Sequence, residues 1–147
     1  MVSSLLRRLF SPNPEALPQD EVPLALAVLM VRIARADGDY ADSEMRRIDR
    51  VLGEMYGLTA MGATTLRVKA EDLEAEAPDT VRFTRALKAG VGLEDRIALV
   101  EALWSVVLVD GGRDAQEDRI LRMVVSLLGV TDIESGLARR RVQERGA

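Results

Sequence analysis

The chain predicts an all-α protein, and three observations carry that prediction. No window alternates apolar and polar residues convincingly with a period of two, as a half-buried strand would. Apolar residues recur instead at i, i+3, i+4 and i+7, the spacing that lines one side of a helix. The apolar stretches also end at glycines, the residue best suited to close a helix: Gly38, Gly57, Gly90 and Gly129. With 147 residues, 48% of them hydrophobic, the chain has the size and composition of one domain with a real core. The pattern predicts a single compact domain of about six or seven helices, built from two similar helical hairpins.

Residues 1–10 read as a short amphipathic helix with Leu5, Leu6, Leu9 and Phe10 on one side. Pro12, Pro14 and Pro18 make the following stretch an extended linker. Residues 1–19 are therefore expected to be a segment separable from a helical domain over 20–147. Its apolar side is expected to dock on that domain, with a partner or a membrane surface as the sharper alternative. Asp20 is placed to cap the first main helix, which tolerates Pro23 in its first turn. From Val22 to Ile33 that helix has almost no polar side, so it should be buried nearly all round. Residues 42–56 are amphipathic through Met45, Ile48, Val51, Leu52 and Met55. A weaker helix spans 59–77, and Asp79 is positioned to cap a short one carrying Val81, Phe83 and Leu87. Residues 93–110 repeat the buried pattern, with Val100, Leu103, Trp104 and Val107 expected to be inaccessible along with Leu29 and Ile33. Residues 114–128 repeat the amphipathic one. Thr131 and Glu134 form a capping box for a last helix that runs into Arg139, Arg140 and Arg141, expected as favourable charge at its C-terminal end.

Composition removes whole classes of chemistry. There is no cysteine and no histidine. Disulfides, Ser-His-Asp and Cys-His catalysis are excluded, and zinc, copper, haem and iron–sulfur sites lose their usual ligands. A net charge of −4 and 3% aromatics argue against nucleic acid as a partner. The longest apolar run, Val22–Val31, is too short for a membrane span, which needs about 20 residues. The chain is expected to be cytoplasmic.

One motif occurs twice. ADGDYADSE, residues 36–44, and VDGGRDAQE, residues 109–117, align at an offset of 73, pairing Leu26 with Leu99, Asp37 with Asp110, Glu44 with Glu117 and Arg46 with Arg119. Each follows a buried helix and opens an amphipathic one. In this doubled Asp-Gly, five residues, Glu pattern the chain resembles the tellurite-resistance TerB-like family, over roughly residues 20–130. The cap position of that pattern is Ala41 in the first copy, after Tyr40, and Asp114 in the second, after Arg113. The resemblance implies an all-helical, non-enzymatic domain linked to tellurite and stress resistance, sometimes near membrane complexes. It also implies a divalent cation held by an acidic patch.

Two readings of the acids stand side by side. Asp-Gly stops a helix, and Glu suits a first turn, so capping alone accounts for much of the motif. Yet Asp37 and Asp110 fall at helix C-termini, where the dipole disfavours an anion by about 0.3–1 kcal/mol. Clustered carboxylates suit a hard ion such as calcium, magnesium or manganese. The expected ligands are Asp37, Glu44, Asp110 and Glu117, with Asp39, Asp42 and Asp114 as auxiliaries. The competing reading is a metal-free interaction scaffold for an unidentified protein partner or a second copy of the chain. A third is a helical magnesium-dependent nucleotide hydrolase using the Glu71 and Glu74 pair, although Glu71–Glu76 reads more simply as a solvated face.

Overall fold

A stretch with no polar side has to be surrounded, and the chain does surround Val22–Ala34. The computed structural model describes residues 19–36, 38–76, 80–108 and 115–146. Among them are seven α-helices and one 3-10 turn, with no strand. We number the helices α1 (Val22–Ala34), α2 (Asp42–Tyr56), α3 (Ala60–Glu76), α4 (Thr80–Gly90), α5 (Leu93–Val107), α6 (Ala115–Leu127) and α7 (Asp132–Gly146). Ten of the 13 residues of α1 are buried. The helix packs against α2, α3, α4, α5 and α6. Burying each large side chain there stabilises the fold by roughly 1.5–3 kcal/mol.

The second expected core helix, α5, is buried through Leu99, Val100, Ala102, Leu103, Val106 and Val107. It lies against α1 and α2 and is covered by α7. Leu29, Ile33, Val100, Leu103 and Val107 are all between 0% and 3% exposed, as expected. Trp104 is not. It is only partly buried, because it turns towards α7, where its indole Nε1 donates to Ser135 Oγ at 3.1 Å and Arg139 stacks over its ring. An indole carries a polar N–H that needs a partner, and the seam between two helices supplies one.

Helix ends follow the residues that make them, with some corrections. Asp20 lies in the 3-10 turn Gln19–Glu21, and the N-cap of α1 is Glu21, with Pro at the start of the helix as expected. Thr59 caps α3 through its hydroxyl, which accepts from Gly62 N at 3.0 Å. At α7 the Thr131–Glu134 box forms in both directions, at 2.9 and 3.1 Å. That helix does not stop at the arginines. It continues to Gly146, so Arg139–Arg141 lie along its middle, and Arg141 and Arg145 both bond Glu101 of α5. The expected solvated face of α3 is also partly wrong. Asp72 and Glu76 are exposed, but Glu71 and Glu74 are only 19% and 16% exposed and are engaged by arginines.

The N-terminal segment, Asp79 and the side chain of Phe83 lie outside the described residues. No helix among the described residues is long and apolar enough to cross a membrane.

Candidate functional site

The first acidic turn leaves α1 through Arg35, and Gly38 turns it with φ +80°, a conformation only glycine adopts cheaply. Ala41 is extended and becomes the N-cap of α2. It has no side-chain acceptor, so only the return half of a capping box exists here: Ala41 N–H donates to Glu44 Oε1 at 3.1 Å. Asp39 and Asp42 are exposed, whereas Glu44 is 5% exposed. Asp37, Asp110 and Asp114 lie outside the described residues, as does the side chain of Glu117. Among the described residues no three acidic groups come close enough together to hold a metal ion. Asp39, Asp42 and Glu44 therefore do not make a site by themselves. The donors are carboxylates throughout, which matches an oxygen-seeking cation and no softer metal.

Beside this turn stands a network that the sequence did not announce. Tyr40 donates its hydroxyl to Glu71 Oε2 at 2.7 Å, and Arg67 Nη1 reaches the same oxygen at 2.7 Å. Arg67 Nε also bonds Asp49 of α2 at 2.6 Å, and Asp49 accepts from Thr64 at 2.9 Å. One turn further along α3, Glu74 takes Arg32 Nε at 3.2 Å and Arg35 Nη1 at 2.7 Å, and Arg35 lies over the Tyr40 ring. The end of α1, the acidic turn and α2 are thus tied to one side of α3. Burial would lower the Arg67 pKa, but hydrogen bonds and charge from Asp49 and Glu71 reverse this and hold it above its usual value. Burial, followed by the Glu71 hydrogen bond, pushes the Tyr40 hydroxyl well above the ordinary tyrosine range.

The sequence contained one trace of this network, the i, i+4 spacing of Arg67 and Glu71. Its other members are far apart in the chain, and only the packing of α3 against α1 and α2 brings them together.

A family model described as "Tellurite resistance protein TerB" matches residues 23–140. No curated protein and no solved structure matches the chain.

Proposed function

The chain belongs to the tellurite resistance TerB family, and from that premise we propose that it acts by binding rather than by turnover, holding a divalent cation at its acidic turns in a tellurite- or stress-response setting. One observation carries the cation reading. Glu44 and Glu134 do the same capping work at the starts of α2 and α7, yet Glu134 does it near the surface while Glu44 is 5% exposed. Capping does not require that burial, so the start of α2 sets a carboxylate below the protein surface where the start of α7 does not. Together with Asp37, or with Asp110 and Glu117, it would offer a hard cation a set of oxygen ligands. Against the hydrolase reading stands the use of Glu71 and Glu74: both are already bound to arginines, so the carboxylate pair such an enzyme needs for magnesium is taken.

Melting of the metal-free protein tests the proposal. Millimolar calcium, magnesium or manganese at constant ionic strength should raise Tm, since a ligand specific to the folded state at about 100 times its Kd contributes about 2.7 kcal/mol. Asp37→Asn with Asp110→Asn should abolish the response. Glu44→Gln keeps an oxygen for Ala41 N–H but loses the charge, so it should preserve helicity while weakening the response. If no cation shifts Tm and calorimetry detects no binding, the metal-independent interaction scaffold replaces this reading. That alternative has its own support in the apolar side chains left in solvent, Met61 at 80% and Ile133 at 77% exposure.

A further inference from the structure

A second feature of α2 lies away from the acidic turn. A cleft of about 390 Å³ opens between α2, α5 and α7, a volume in the range of small-molecule sites. Its walls are of two kinds. Val51, Met55, Ala98, Ala102 and Val142 supply apolar surface, and Arg47, Arg50 and Arg145 supply positive charge.

The acids in the cleft do not cancel that charge. Glu101 is shared between Arg145 at 2.7 Å and Arg141 at 3.0 Å, so one carboxylate answers two guanidinium groups. Glu54 meets Arg50 at 3.4 Å in a pair whose side chains are 71% and 65% exposed, an arrangement that water weakens. Arg47 has no ion pair among the described residues. Its Nε is buried and makes no hydrogen bond. With Nε closed off from the cleft, an acceptor there would meet the terminal amino groups of Arg47, which carry the rest of its N–H donors and its charge. The chain as a whole is acidic, at −4, which makes this local positive surplus the more specific.

We propose that this cleft binds a small organic anion, whose carboxylate or phosphate head is received by Arg47 while a short apolar body lies against Val51, Ala102 and Val142. The charge of Arg50 and Arg145 at the rim adds attraction for the same head group. The apolar walls distinguish such a ligand from a bare inorganic anion. This inference does not depend on the cation reading.

Calorimetry and thermal melting of the full chain test it, with hexyl phosphate and hexanoate as probes and inorganic phosphate as the comparison, all at fixed ionic strength. At least one of the two amphiphilic anions should bind about tenfold more tightly than inorganic phosphate, in line with the transfer of a few methylenes onto apolar surface. Arg47→Gln should weaken that binding by about tenfold or more, the loss expected for a charge-assisted hydrogen bond. Ala98→Leu, which fills the cleft without touching its charge, should weaken it too. Arg46→Gln, outside the cleft, should leave it unchanged. Circular dichroism checks that each variant is folded. The inference is overturned if neither amphiphilic anion binds, if inorganic phosphate binds equally well, or if folded Arg47→Gln and Ala98→Leu both bind like the parent.

Discussion

Arg67 is 12% exposed and holds Asp49 and Glu71 at once, so its removal strands two half-buried carboxylates and disturbs the tyrosine bonded to one of them. Arg67→Ala should cost about 2–3 kcal/mol, the range for losing charge-assisted bonds whose partners stay partly buried. Arg50→Ala, from a pair open to water, should change stability by less than about 0.5 kcal/mol. Urea unfolding of the two variants reads the difference, and equal losses would mean that the Arg67 network is no stronger than a surface pair. The tyrosines give a second test. Burial, with a smaller contribution from Asp95, pushes Tyr56 up to about 12, and Tyr40 is also raised. Both groups hold their proton more tightly folded than unfolded. The stability this provides is complete below the unfolded value of 10.0 and is lost as pH rises through the folded values. Ultraviolet difference spectroscopy should therefore find little tyrosinate in the folded protein near pH 10, where an ordinary tyrosine is half ionised. These residues were the least legible part of the sequence. Tyr40 and Glu71 lie 31 positions apart and Arg67 and Asp49 lie 18 apart, and no local rule pairs them.

Helices were far more legible, because a helix is declared by neighbours in the chain. The 42–56 segment matches α2 residue for residue, and Gly57 and Gly129 close α2 and α6 with φ +64° and +73°. What the sequence could not indicate was whether an arginine run ends a helix or finds a partner across a seam. Arg139–Arg141 looked terminal until Trp104 and Glu101 of α5 took two of them. Nor could it indicate that Trp104 lies in that seam, since spacing assigns a residue to a face and leaves the depth of the face open. The two closing glycines differ in a way that makes a prediction. A Cβ at Gly57 would meet nothing within 4 Å, while one at Gly129 would meet Arg96 Nη1 at 2.9 Å and Lys88 Cε at 3.0 Å. Arg96 cannot yield freely there, because Nη1 donates to Leu128 O at the end of α6. Gly57→Ala should cost about 1–2 kcal/mol, the left-handed strain alone. Gly129→Ala should cost about 1 kcal/mol more, through the displaced arginine and the carbonyl it leaves. Thermal unfolding orders the two variants, and the reverse order would show that the Arg96 contact is dispensable.

At the scale of the whole molecule, most of the protein is arranged around α1, which meets every numbered helix except α7 in substantial contact. Its burial is nearly complete, with Leu26, Val28, Leu29, Met30 and Val31 at 0% or 1% exposure. Such a helix gains as much from water exclusion in one rotational setting as in another, so hydrophobicity holds it in place without fixing its angle. Arg32 and Arg35 are the charged residues of its final turn and C-cap, and both end on Glu74. Glu74→Ala should therefore do more than lower stability by about 2–3 kcal/mol. Far-UV circular dichroism should stay close to the parent's, while the near-UV signal of Trp104 weakens and the denaturant transition broadens, the signs of a core that keeps its helices but loses fixed packing. A sharp transition with an unchanged near-UV spectrum would sink this expectation. One carboxylate on α3 thus acts as the key of a shaft: the apolar surface drives α1 into the centre of the protein, and the two arginines, by finding Glu74, select a single orientation from many that burial alone would accept.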